Sequence, residues 1–225
     1  MSDNKNLENT DQEVVDKALG FWQAYGKKVS LALGILVVAI GGYWAYGNFI
    51  QQPKEAKANE DIFAAENYFR KDSFALALNG TGSTPGFLKI IDKHSGTKAA
   101  NLAHLYAGES YLQMGEFQKA IDQLNAFSAG SAKQVEAKVE GLLGDAYAEL
   151  KKNEEAIAHY KKAGTLFADD QAISSEYLFR GGLLCEMAGK NAEAIEFYQM
   201  LKDKYPRTDK GFVVDKYLAR LGVTK

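Results

Sequence analysis

Twenty-two consecutive residues, Val29 to Ile50, carry no charge. As an α-helix rising about 1.5 Å per residue they reach roughly 33 Å, close to the ~30 Å of bilayer hydrocarbon. A core helix of a water-soluble protein shows a polar stripe. Here Leu31, Leu33, Ile35, Leu36, Val37, Val38 and Ile40 fall on every face. Tyr43, Trp44, Tyr46 and Phe49 gather at the far end, where amphipathic rings favour the headgroup layer. The stretch predicts a membrane span over 29–50, with a buried helix of a soluble protein as the alternative. A cleavable export signal has a short basic start and small residues before the cut. This segment has 28 residues ahead of it and bulky rings at its exit, with Ala45-x-Gly47 as a poor cleavage site. An uncleaved signal anchor is the better reading.

Orientation follows Lys and Arg near the ends of a span. Lys5, Lys17, Lys27 and Lys28 lie on the N-terminal side, against Lys54 and Lys57 on the other. The bias predicts a cytoplasmic segment 1–28 and an extracytoplasmic remainder. Within 1–28, residues 1–9 are polar and expected to be disordered. Thr10-Asp11-Gln12-Glu13 has capping-box spacing, and Val14, Ala18, Phe21, Trp22 and Tyr25 recur at helical intervals. That helix either lies on the membrane surface or extends the span, with Gly26 as the hinge between the two.

Composition narrows the rest. The net charge of −2 leaves no basic field for nucleic acid. Cys185 stands alone, so no internal disulfide can form. Three prolines among 225 residues, with abundant Ala, Lys, Glu and Leu, favour helix.

An internal period of about 37 residues organises the last two-thirds. AGESYLQMGEFQKAIDQL from Ala107, LGDAYAELKKNEEAIAHY from Leu143 and GGLLCEMAGKNAEAIEFY from Gly181 align in register. Gly108, Gly144 and Gly182 match, as do Tyr111, Tyr147 and Cys185, and Ala120, Ala156 and Ala194. DKHSGT at Asp92 and DKYPRT at Asp203 echo one another three periods apart. Each unit reads as two amphipathic helices joined by a short polar turn. The small residue of the first helix is expected to meet the small residue of the second. Tyr111, Tyr147, Tyr160 and Tyr198 would then fill the space between successive pairs. No unit can bury its apolar face alone, so the units must stack.

These units resemble tetratricopeptide repeats. The second matches best, through Leu143, Gly144, Tyr147, Ala156, Tyr160 and Ala163. The third has Gly182, Ala194, Tyr198 and a closing Pro206, but Cys185 where an aromatic is usual. The first has Gly108, Tyr111 and Ala120, with Leu124 in place of the second aromatic. The resemblance implies an all-α fold, a right-handed solenoid of helix pairs behind one transmembrane helix. The expected layout is 29–50 anchor, 51–100 linker helix and degenerate first repeat, 101–208 three repeats, and 209–225 capping helix. In the degenerate unit, Lys57 to Leu78 reads as one helix, Asn79 to Gly86 as a loop, and Phe87 to His94 as a short helix.

Catalytic signatures are missing. No GxSxG, HExxH or phosphate-binding GxxxxGK[ST] occurs. His94, His104 and His159 lack metal-ligand spacing and read as surface or groove residues. Cys185 reads as a core thiol. The expectation is an interaction protein rather than an enzyme, with no cofactor, metal or small-molecule substrate. Repeats of this family often bind a peptide or partner segment along the face lined by their first helices. Its usual inward positions fall here on Leu105, Glu109, Gln113, Asp145, Glu149, Phe179, Leu183 and Glu186. That set is acidic with apolar patches and would suit basic or amphipathic segments, although solvent-facing charges would look the same.

The layout as a whole is similar to the bacterial ancillary Sec-translocon subunit family. The likeness rests on ALGFWQAYGKK leading into the span, then GGYWAYGN and a repeat domain. It implies an inner-membrane protein with periplasmic repeats, whose partners are translocon subunits, periplasmic chaperones or exported chains. A scaffold for envelope assembly or division machinery is the alternative.

Overall fold

The computed structural model describes the backbone of residues 3–224 and the side chains of Val15, Lys17 and residues 19–224. It divides into two compact units, Met1–Pro53 and Lys54–Lys225.

The first unit is almost entirely one helix, α1 (Asp3–Tyr46), closed by a π-helical turn at Gly47–Gln51. At the turn, Asn48 Nδ2 donates to the Trp44 carbonyl at 3.0 Å and the Phe49 ring meets Trp44 edge-on. The capping-box side chains at Thr10–Glu13 lie outside the described ones, but the backbone is already helical at Asp3, so the start expected at Thr10 moves toward the N-terminus. Gly26 does not break the helix, and the Trp22 ring lies over it. Leu31, Ile35, Val37, Val38 and Ile40 are all more than half exposed. Exposed apolar side chains on every face of a helix call for an apolar solvent. Among the described residues this is the one helix long and apolar enough to cross a membrane.

The second unit is built from helix pairs. In chain order these are α2 (Gln52–Phe69), α3 (Phe74–Asn79), α4 (Phe87–Lys93), α5 (Lys98–Gln113) and α6 (Phe117–Ala126). Then come α7 (Lys133–Glu149), α8 (Asn153–Leu166), α9 (Gln171–Met187), α10 (Asn191–Lys204) and α11 (Asp209–Arg220). The turns inside α5–α6, α7–α8 and α9–α10 share one geometry. A residue with positive φ ends the first helix: Gly115 at 75°, Lys151 at 61° and Gly189 at 74°. The next amide then donates five residues back, Glu116 to Tyr111 at 2.9 Å, Lys152 to Tyr147 at 2.9 Å and Lys190 to Cys185 at 2.8 Å. This left-handed closure satisfies carbonyls that a helix end otherwise leaves open.

The same closure ends α11, at Gly222 and Val223, and also occurs where the sequence predicts unbroken helix. Asp72 has φ 54° and the Ser73 amide donates to the Tyr68 carbonyl at 3.0 Å. The helix expected over 57–78 is therefore two, α2 and α3, turning at Arg70–Ser73. Ala65, Tyr68, Asp72 and Ala77 keep the offsets of Gly108, Tyr111, Gly115 and Ala120. The degenerate unit is thus a repeat in register, whose second helix is interrupted. The interruption is the loop between Gly80 and Gly86, pinched so tightly that a Cβ at either glycine would strike backbone across its neck. Thr81 donates to the Thr84 carbonyl at 2.8 Å within it, and α4 resumes the helix with Phe87 and Ile90 buried.

The DKHSGT and DKYPRT echoes are helix starts. Thr97 Oγ1 accepts from the Ala100 amide at 3.0 Å and Thr208 Oγ1 from the Gly211 amide at 3.1 Å, capping α5 and α11. Glu55 of α2 adds a second cap to α5, accepting from the Lys98 amide at 2.8 Å. His94, expected at the surface, is only 4% exposed and bonded to Asp61 at 2.8 Å.

Packing within each pair departs from the small-against-small expectation. A Cβ on Gly108 would lie 2.6 Å from Leu124 Cγ, and one on Gly144 2.6 Å from Tyr160 Cδ1. Gly182 likewise sits beneath the Tyr198 ring. Each glycine faces the large residue four positions beyond the alanine, while Ala120, Ala156 and Ala194 are fully buried beside it. Tyr160 and Tyr198 therefore fill the space inside their own pair. Tyr160 also stacks on Tyr177 of the next pair at 6.2 Å, while Tyr147 stacks on His159 at 5.1 Å. Tyr111 is buried in the first core cluster, and Pro206 lies exposed in the α10–α11 turn rather than in a helix interface.

Candidate interaction face

The first helices α5, α7, α9 and α11 are laced together by ion pairs that run from each to the next. Glu109 of α5 pairs with Lys138 of α7 at 2.7 Å, and Asp145 of α7 with Arg180 of α9 at 2.7 Å. Glu176 of α9 pairs with Lys210 of α11 at 3.2 Å, and Glu186 of α9 with Arg220 of α11. Asp145 also accepts from Tyr160 Oη at 2.7 Å, tying α8 into the ladder. Burial, with the Asp145 charge beside it, pushes the Tyr160 phenol far up, so it remains a donor. Arg180 is shared, its Nε donating to Glu176 at 2.7 Å. Burial works against the charge on Glu176, but hydrogen bonds from Arg180 and Lys210 outweigh it and hold the carboxyl below its ordinary range.

This ladder changes the meaning of the acidic positions. Glu109, Asp145 and Glu186 are each matched by a cation of the following first helix, so they hold the stack in register rather than offering unmatched charge. Leu105, 6% exposed, belongs to the core formed with Ile121, Leu124 and Val139. Phe179, 7% exposed, is packed against Tyr198 and Tyr217. Neither faces a groove, because the neighbouring pair closes over both. Leu183 is half-buried at the edge of that cluster. Gln113 and Glu149 are exposed near the ends of α5 and α7 and remain accessible to a partner.

A second polar layer joins first to second helices. His104 meets Gln123 at 2.8 Å in α5–α6, and at the same offsets Glu140 meets His159 at 2.7 Å in α7–α8. In α9–α10 those offsets carry Leu178 and Phe197, both buried. Burial acts to raise the Glu140 carboxyl, yet bonds from His159 and Lys162 bring it below its usual value. The sequence signal of this second layer lies in the residues four before the glycine and three after the alanine; the ion-pair ladder has no such fixed offset. Among the described residues no group of His, Cys, Asp and Glu could hold a metal ion. Cys185 is buried at the position of Tyr111 and Tyr147, and burial pushes its thiol up to about 11.

Helix pairs with this closure and this small-against-large packing define an α-solenoid of interaction repeats. The tetratricopeptide repeat-like domain matches residues 20–137, more than half of the chain, and tetratricopeptide repeats match residues 107–170 and 176–208. The chain belongs to the tetratricopeptide repeat family. Comparison with curated proteins gives no match. The repeats mark a protein-interaction scaffold whose partners are other proteins, carried behind a helix able to cross a membrane.

Proposed function

We propose that the chain is a single-pass anchor protein of the bacterial inner membrane. Its repeat unit stands on the periplasmic side and handles exported chains beside the Sec translocon, together with translocon subunits or periplasmic chaperones. The observation that carries the reading is the apolar stretch Leu31–Ile40, exposed on every face and followed within a few turns by the repeat unit. Lys17, Lys27 and Lys28 before the span, against Lys54 and Lys57 after it, support a cytoplasmic N-terminus. A lone thiol buried at a packing position suits an oxidising compartment. The translocon itself is named from the similarity of ALGFWQAYGKK and GGYWAYGN to the ancillary subunit family.

Photo-cross-linkers placed at Gln113 and Glu149 in intact membranes test the reading, since both are exposed and neither belongs to the ion-pair ladder. Recovery of translocon subunits, chaperones or nascent exported chains supports it. Recovery of envelope-assembly or division proteins in their place refutes the export role and keeps the scaffold.

A further inference from the structure

Two aromatic clusters stand on α1, and the unbroken helix fixes the distance between them. Phe21, Trp22 and Tyr25 form the first, Tyr43, Trp44 and Tyr46 the second, and every one of these rings is at least half exposed. Phe21 and Tyr25 pair with 5.3 Å between ring centroids. Trp22 folds along the helix onto Gly26, where a Cβ would stand 3.3 Å from its ring, so the indole is carried a turn toward the span. Because α1 runs through both clusters, Tyr25 and Tyr43 are about 27 Å apart along the axis and Trp22 and Trp44 about 33 Å. Bilayer hydrocarbon is about 30 Å thick. The step from Tyr25 to Tyr43 is also about five whole turns, which puts the two clusters on one side of the helix.

These spacings set the bilayer on the helix. If it were centred on the charge-free stretch 29–50, the midplane would fall near Ile40 and Tyr43 would stand about 5 Å from it. Tyr43 is 83% exposed, so its hydroxyl would meet only lipid chains, at the cost of an unmet polar group. Trp22 would meanwhile stand about 26 Å from the midplane, out in water. Centred on Gly34 instead, both clusters fall at the headgroup level that amphipathic rings favour. Past the second cluster, Asn48 Nδ2 donates to the Trp44 carbonyl at 3.0 Å and Gln52 Nε2 to Asn48 Oδ1 at 3.1 Å, so side-chain amides begin where the headgroups do. Lys27 and Lys28 then lie about 5 Å inside the hydrocarbon edge. Helix side chains lean toward the N-terminus, so their stems carry the ammonium groups up to the lipid phosphates. We propose that Phe21, Trp22 and Tyr25, with Lys27 and Lys28, form a docking surface for phospholipid headgroups on the N-terminal side of the membrane, and that the chain crosses the hydrocarbon between Tyr25 and Tyr43. The first cluster then fixes, from its own side, how deep the anchor sits. This inference rests on α1 spanning a membrane and is independent of which compartment holds the repeats.

The chain has two tryptophans, one in each cluster, so Trp22→Phe and Trp44→Phe each leave a single reporter of depth. The full-length proteins are reconstituted in vesicles of phosphatidylethanolamine and phosphatidylglycerol that also carry phosphatidylcholine brominated near the headgroup or near the chain ends. Both tryptophans should be quenched more by the shallow bromines, with shallow-to-deep ratios agreeing within about twofold. Replacing the first cluster by Phe21→Gln, Trp22→Gln and Tyr25→Gln leaves Trp44 to report, and should let the helix slide so that deep quenching of Trp44 rises about twofold. Trp22 unquenched, with Trp44 quenched from depth, overturns the proposal and keeps the span. Quenching of neither overturns both. Trp22 emission shifted to the blue but insensitive to either bromine assigns the cluster to a protein partner and overturns the lipid surface, as does a Trp44 depth indifferent to the triple substitution.

Discussion

Gly144→Ala reverses the usual sign of a glycine substitution in a helix. Alanine in a helix interior is ordinarily better than glycine by about 1 kcal/mol. Here the added methyl would stand 2.6 and 2.7 Å from Cδ1 and Cε1 of Tyr160. That ring cannot swing away freely. Its hydroxyl is held by Asp145 at 2.7 Å, Asp145 is held by Arg180, and its outer face lies on Tyr177. Forcing a methyl into such packing costs about 1–3 kcal/mol. Set against the propensity gain, the net loss at the upper end is about 1–2 kcal/mol, equivalent to a fall in Tm of roughly 2–8 °C for a domain of this size. Circular dichroism of the full chain in detergent, heated with and without the substitution, measures it. The cost should shrink by about 0.5 kcal/mol or more in a Tyr160→Phe background, where the ring has lost its tether. A Tm equal to or above the parent's, or a cost unchanged in that background, would refute the packing argument.

Lys151→Gly and Asp72→Gly should each stabilise the repeat unit by about 1 kcal/mol, because both residues occupy the left-handed region that Gly115 and Gly189 fill at the equivalent turns. Urea unfolding midpoints check this, and a fall in midpoint contradicts the shared-turn reading. Arg180→Ala strips the cation from Asp145 and Glu176; with the arginine side chain 42% exposed, the expected loss is about 1–2 kcal/mol. Acid should unfold the repeats in a defined window. The Asp61 carboxyl is lowered by its bond to His94, and Glu140 and Glu176 are lowered despite burial. Groups lowered in the folded state contribute fully above their unfolded values, 3.8 for Asp and 4.5 for Glu, and lose that contribution as pH falls through the folded ones. The urea midpoint should therefore hold near neutrality and decline below about pH 4.5; a midpoint unchanged at pH 3 would contradict the bonding described.

The parts of the fold legible in the sequence were those with a period. The charge-free stretch, the three aligned units and the DKHSGT and DKYPRT echoes all repeat or contrast with their surroundings. Within the degenerate first repeat the break between α2 and α3 was hidden, because Asp72, unlike glycine, does not advertise a positive φ, and because the 80–86 loop cuts the second helix. Partner side chains were harder still. That Glu109, Asp145 and Glu186 meet Lys138, Arg180 and Arg220 follows from how successive pairs stack, and the three sequence separations share no common spacing. Position alone made them groove acids, and only packing shows them as ties between repeats. The burial of Leu105 and Phe179 has the same origin, since the covering atoms belong to the next pair.

Protease accessibility on the two sides of the membrane tests the central claim most directly. With trypsin added outside spheroplasts, cleavage should begin at the exposed lysines of the repeat unit, such as Lys119 and Lys133, and leave a protected fragment containing Lys17, Lys27 and Lys28. A repeat unit that resists trypsin until the membrane is opened, while the N-terminal lysines are cut from outside, would place the repeats in the cytoplasm and contradict the account.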